Sequence, residues 1–355
     1  MRTFDYRRVP AELHSREISD CVVLLHEDKG RLSVFRDFYP QTFETLAQQA
    51  YMDNVEASAR IEGIYPTRKR VEEVVSGDTC GEDAQQLCAN EDELRIVGYS
   101  RALRMLDAEI DELDVSTSTI LSLYETLFFD RDLGSKSRYR RKDYIYANLD
   151  GRMQAVPVSP IPAFETPLVL GGAVDSLNEA FGDGDRLPIM LIGQFAVDFL
   201  CIRPFDEGNG RIVRLFTDLL LRKCGFDINK YMSIDKIIES HASEYYQVLN
   251  ECAVNWNVRS NTYLPFVKFW FAVLHLAYER LFCSLNASAE SKSSKRDRVR
   301  SYFVAHPTEV TKRQILSDCP DISEATVESA LTSLVKEGFI EKVGAGRATS
   351  YRRKS

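Results

Sequence analysis

The densest chemistry in this 355-residue chain lies in the run Arg203-Pro204-Phe205-Asp206-Glu207-Gly208-Asn209-Gly210-Arg211-Ile212-Val213-Arg214. Glycines at 208 and 210 permit positive φ and close backbone approach, so consecutive N–H groups can point at one anion. A helix that opens here, runs to about Lys223 and stops at Gly225 adds the partial positive charge of its N-terminus. Arg211 and Arg214 fall three residues apart, on one helical face, where two guanidinium groups can grip further phosphate oxygens. Ile212, Leu215, Phe216, Leu219 and Leu220 take the other side and anchor the helix. Glu207 stands just before the glycines, and one carboxylate suffices for a magnesium ion that keeps most of its waters while bridging two phosphates. The combination specifies a phosphate-binding loop rather than a Gly-Asn-Gly surface turn flanked by solvated arginines.

The elements that must position this loop are mostly helical. Apolar residues recur at helical spacing around Thr42 to Ala59 and Glu91 to Leu113, with Gly63, Pro66, Gly77 and Gly81 as punctuation. Residues 118 to 285 continue as a helical core, and Leu264 to Phe282, interrupted by Lys268, His275, Glu279 and Arg280, reads as an amphipathic helix rather than a membrane span. One β element is expected where Tyr144 to Leu149 and Met153 to Val156 flank the tight-turn pair Asp150-Gly151. Residues 286 to 294, rich in Ser, Ala and Lys, read as a linker. Beyond it, helices over Asp297 to Ala305, Thr311 to Asp318 and Ser323 to Glu337 precede a hairpin, Phe339 to Val343 and Ala348 to Tyr351 across Gly344-Ala345-Gly346. Val327, Leu331, Leu334 and Val335 form the apolar stripe of the third helix, and the whole is a winged helix-turn-helix pattern.

With these elements in place, the run from 203 to 214 resembles the signature of the Fic (Fic/Doc) family, His-Pro-Phe-x-(Asp/Glu)-Gly-Asn-Gly-Arg-x-x-Arg, at every position but the first, where Arg203 stands for the histidine. The resemblance extends over the preceding helix Pro188 to Ile202, the hairpin 144–156 and the entry Arg138-Tyr139-Arg140. It implies a mainly α fold, a helical core with a β-hairpin flap, to which the C-terminal winged helix is appended. The expected division is 1–115 as an N-terminal helical region, 116–285 as the Fic core, 286–294 as linker and 295–355 as the winged-helix domain. The activity implied is transfer of AMP from ATP, with Mg2+, to a Ser, Thr or Tyr hydroxyl of a target protein. Glu207 would be the metal ligand, Gly208, Asn209 and Gly210 the anion hole, Arg211 and Arg214 phosphate contacts, and Phe205 a core anchor. The 144–156 flap would hold the target by strand addition. Ser58-Ala59-Arg60-Ile61-Glu62-Gly63 is similar to the family's inhibitory motif, in which a carboxylate, here Glu62, occupies the arginine needed by the γ-phosphate, here Arg214.

Arg203 changes the expected chemistry. The family's histidine takes the proton from the attacking hydroxyl, whereas a guanidinium with a pKa above about 12 has only donors to offer. Loss of a general base costs on the order of 10² to 10⁴ in rate. Phosphate binding does not depend on residue 203 and is expected to survive. Three readings stay open: an ATP-binding protein that transfers AMP slowly or not at all, an enzyme with another base, or an active enzyme carrying an introduced substitution.

Composition bounds the rest. With 44% hydrophobic residues the chain can bury a large core and carry a smaller domain. Met1 to Asp20 mixes charges throughout, which predicts no secretory leader and a cytoplasmic protein. Eight scattered cysteines, with no CxxC pair, predict free thiols rather than a zinc site. The net charge of −8 is uneven, because residues 291–355 hold 13 Lys/Arg against 8 Asp/Glu, a balance of +5 that leaves −13 for residues 1–290. That basic end suggests a second class of function, regulation through DNA by residues 295–355. Ser323, Glu324, Ala325, Thr326 and Glu328 at the start of its recognition helix read bases poorly, so protein docking or homodimerisation by this domain competes equally.

Overall fold

The computed structural model describes residues 2–131, 138–143, 161–182, 188–292, 299–300, 302–303, 309–319, 322–344 and 349–354. The expected 144–156 hairpin, the 345–346 turn and most of the helix expected over 297–305 lie outside them. The chain divides into two compact units, Met1–Leu281 and Phe282–Ser355.

The first unit is helical: α1 (Arg16–Phe38), α2 (Pro40–Ile61), α3 (Arg68–Thr79), α4 (Ala84–Leu87), α5 (Glu91–Glu109), α6 (Thr117–Leu127), α7 (Thr166–Gly182), α8 (Pro188–Ile202), α9 (Asn209–Lys223), α10 (Ile228–Tyr231), α11 (Ile234–Ser240), α12 (Ala242–Ala253) and, as far as Leu281, α13 (Leu264–Lys292). Short polar residues set where many of them start. Ser15, Thr67, Asn90, Ser116 and Ser233 each accept a hydrogen bond from the backbone N–H three residues on, satisfying a donor the helix leaves open.

Helices α8 and α9 run side by side at the centre. Every residue of α8 from Ile189 to Ile202 is buried, which matches its nearly uninterrupted apolar sequence. Its one charge, Asp198, is fully enclosed yet well served. It accepts from Tyr6 Oη at 2.7 Å, Trp256 Nε1 at 2.6 Å and Tyr263 Oη at 2.9 Å, with Arg2 Nη2 at 3.4 Å. The N-terminal segment is thereby tied to the core. Within this first unit α2 packs on α5, and α5 packs on α9. Helix α13 carries on through Lys292, so most of the segment expected as linker is helical; it contains no Gly or Pro to end the helix.

The second unit holds β1 (Val310–Thr311), α14 (Lys312–Asp318), α15 (Glu324–Lys336), β2 (Ile340–Val343) and β3 (Ser350–Arg353), with residues 299–300 and 302–303 helical. The strands form an antiparallel sheet in the order β1-β3-β2, with Val310 opposite Tyr351 and Lys342 opposite the same residue on the other edge. Thr311 and Gln314 close a capping box on α14, and Ser323 caps α15. The core joins Val299, Phe303, Val310, Ile315, Val327, Leu331, Leu334 and Ile340. Val335, expected in that stripe, is 37% exposed. Adjacent residues lie about 100° apart around a helix, so Leu334 facing the core turns Val335 toward the side.

Candidate active site

The loop between α8 and α9 is shaped by its own sequence. Gly208 has φ 75°, a left-handed conformation that only glycine adopts without penalty. A Cβ there would also meet two Phe128 ring carbons at 2.9 Å, so the loop lies directly on that buried ring. Asn209 accepts from Phe205 N at 3.0 Å and donates to Phe205 O at 2.8 Å, closing the turn. Its side chain is spent on backbone, so what the turn can offer an anion is the N–H groups of Gly208, Asn209, Gly210 and Arg211, ahead of the first helical bond from Ile212 to Gly208. Phe205 is fully buried and stacks on Tyr124 at 4.2 Å, the core anchor that was expected.

Arg203 sits at φ 49°, an uncommon value for a residue with a side chain, at a cost of about 1–3 kcal/mol. Arg140 compensates for it. Its backbone N–H donates to Pro204 O at 2.9 Å, Nε donates to Arg203 O at 2.8 Å, and Nη1 donates to Lys142 O at 3.0 Å, while Nη2 donates to Ile161 O. A fully buried guanidinium thus joins three chain segments around the loop.

Helix α9 buries both of its expected phosphate contacts, with Arg211 and Arg214 only 5% and 7% exposed. Arg214 Nη2 donates to Ser58 Oγ at 2.9 Å and lies 3.4 Å from Glu62 Oε1. The three residues that the family resemblance brought together, from α2, its C-cap and α9, therefore meet, and Gly63 turns the chain at φ 84°. On its other side Arg214 Nε faces Asp235 Oδ2 at 3.5 Å, and Tyr99 Oη donates to the same oxygen at 2.5 Å. Burial alone would lower the Arg214 pKa, but the Asp235 and Glu62 charges outweigh it and hold the guanidinium firmly ionised. Arg211 has no such support. Burial lowers its pKa, the nearby Arg214 and Arg95 charges push the same way against Glu62 and Glu207, and its Nε and Nη1 are buried without a hydrogen-bond partner. Its guanidinium carbon lies 5.2 Å from the Phe128 ring centre, which leaves those two donors able to serve an anion.

Ser58, Glu62, Arg95, Tyr99 and Arg211 line one small cleft. Glu207 lies beside this group, with one carboxylate oxygen bonded by Arg131 Nη1 and the other 3.8 Å from Arg95 Nη2. Among the described residues no three His, Cys, Asp or Glu side chains cluster as a metal cage. A lone carboxylate nevertheless fits magnesium, which takes one or two protein oxygens and completes its shell with water and phosphate. Asp235, Tyr99, Phe128, Arg95 and Arg131 were not legible as site residues, because each reaches the loop from another helix or its end.

A helical fold whose central helix starts with free N–H groups and two buried guanidinium groups has, at this point, the chemistry to hold an anion. Residues 114–221 match the model of the Fic/DOC family and form a Fic/DOC family domain. Solved structures with the same fold include a Fic family protein from Desulfovibrio desulfuricans G20, 19% identical, covering 98% of this chain and 97% of that one with a TM-score of 0.58. A Fic domain-containing signaling protein from Bacteroides thetaiotaomicron is 19% identical over 75% of this chain and 98% of its own, with a TM-score of 0.56. Fic-1 from C. elegans is 16% identical over 76% and 73%, with a TM-score of 0.55. No curated protein matches the chain. Ser58, Glu62, Arg95 and Asp235 all lie outside the matched stretch.

Proposed function

We propose that the protein binds ATP with magnesium at the start of α9, is held in an inhibited state by Glu62, and is a protein adenylyltransferase whose transfer step is impaired by Arg203. The observation that carries this reading is the arrangement around Arg214, a buried guanidinium shared between Ser58, Glu62 and Asp235. Incoming phosphate would replace Glu62, a carboxylate 31% exposed and thus able to move, while Asp235 keeps Arg214 in place. Gly208 to Arg211 would supply N–H groups to the phosphates and Glu207 would hold magnesium, which neutralises charge on the phosphate oxygens. Arg203 offers donors but accepts no proton at neutral pH, so the attacking hydroxyl of the target, expected against the 144–156 segment, lacks its base.

The test is incorporation of label from ATP labelled at the α-phosphate, with magnesium, by the unmodified chain, Arg203→His, Glu62→Gly and the double variant. Strong labelling only in the double variant supports both parts of the proposal. Labelling by Glu62→Gly equal to that of the double variant refutes the impairment.

The second unit supports a winged helix-turn-helix that docks protein rather than DNA. Lys312 Nζ, on α14, is engaged by Glu324 at 2.8 Å and Glu328 at 2.7 Å on α15. Arg352 pairs with Glu341, and the Arg300 and Arg353 guanidinium groups lie 4.4 and 5.6 Å from the Phe339 ring centre. These cations are occupied within the unit. Titrating the full chain with duplex DNA from 50 to 200 mM salt decides the matter, since phosphate contacts would weaken binding steeply over this range and protein docking predicts no binding to weaken.

A further inference from the structure

The loop does not hold Glu207 by itself. Arg131, just beyond α6, and Arg95, on α5, both reach its carboxylate. What lets α5 come so near is Gly98, three residues after Arg95 and so on the same helical face, where a Cβ would fall 2.1 Å from the Leu127 carbonyl oxygen. The remaining partners of Arg95 are exposed carboxylates of its own first turn, Asp92 at 2.9 Å and Glu91 at 3.8 Å, and its Nε is buried with no hydrogen-bond partner. Pairs this exposed contribute little stability and exchange readily. Arg95 also lines the cleft that holds Arg211 and Glu62. Arg95, Arg211 and Arg214 share Glu62, Glu207 and Asp235, so once a metal ion holds Glu207 and Glu62 is displaced, three guanidinium groups face one remaining carboxylate, a positive excess suited to a ligand more anionic than Glu62.

Building on the function proposed above, we infer that Arg95 is a phosphate-binding residue that selects nucleoside triphosphates over monophosphates, turning from Glu207 to the phosphate that takes the place of Glu62. Magnesium on Glu207 would displace both arginines from that carboxylate, so ion and nucleotide each favour the binding of the other. Arg131, which does not line the cleft, is only released.

The experiment is calorimetric binding of ATP with magnesium and of AMP to Glu62→Gly protein carrying Arg95, Arg95→Lys or Arg95→Ala, with a thermal melt on each variant to establish folding. The expected result is a loss of ATP affinity of about 10-fold or more in Arg95→Ala, a smaller loss in Arg95→Lys, and AMP affinity changed less than about two-fold. Equal weakening of both nucleotides by Arg95→Ala assigns Arg95 a structural role and overturns the inference, as does an ATP affinity that does not change. If the protein with Arg95 intact binds neither nucleotide, the function proposed above fails, and this inference fails with it.

Discussion

Glu62 Oε1 stands 3.4 Å from Arg214 Nη2 and would lie 3.0 Å from a Cβ on Gly210, so this one carboxylate covers both the buried cation and the first turn of α9. Glu62→Gly is expected to strengthen binding of ATP with magnesium by about 10- to 100-fold, or ~1.4–2.7 kcal/mol. Titration calorimetry on the two proteins checks it. Unchanged affinity would mean that Glu62 does not compete with the ligand.

Asp235 is the partner that keeps Arg214 ionised when Glu62 leaves. Both side chains are about 5% exposed, and breaking a buried pair by neutralising one member costs about 3–5 kcal/mol. Asp235→Asn is predicted to lower the midpoint of urea unfolding accordingly, and to weaken nucleotide binding as well. A variant as stable as the parent would show that the pair carries no such energy.

Gly98 is where α5 touches the end of α6, and the obstructing atom is a backbone oxygen that cannot rotate away. Gly98→Ala should therefore destabilise the protein by about 3 kcal/mol or more. Gly171→Ala, at a position with open space around it, serves as the control and should be near neutral. Equal melting temperatures for the two variants would contradict the packing described.

Asp78 supplies a pH dependence. Burial pushes its carboxyl up, but hydrogen bonds and charge from Arg101 and Arg104 outweigh this and hold it below its ordinary value of 3.8. A depressed carboxyl contributes stability that is fully present above the ordinary value and lost as pH falls through the lower folded one. Acid unfolding followed by circular dichroism should accordingly be less steep below about pH 4 in Asp78→Asn than in the parent. Parallel curves would remove Asp78 from the acid response.

The short-range features of this protein were legible in its sequence. The left-handed glycine at 208 and the i,i+3 spacing of Arg211 and Arg214 depend on atoms a few residues apart, so local chemistry dictates them. The resemblance of residues 58–63 to the family's inhibitory motif implied that Glu62 and Arg214 belong together. Tertiary structure decided how those groups are held. Arg214 is fixed by Asp235, Arg203 by Arg140, Gly208 by Phe128 and Glu207 by Arg131 and Arg95. No periodicity encodes such pairs, because a buried charge or ring takes whatever partner the packing of separate helices brings within reach, and that packing is set by the whole core at once.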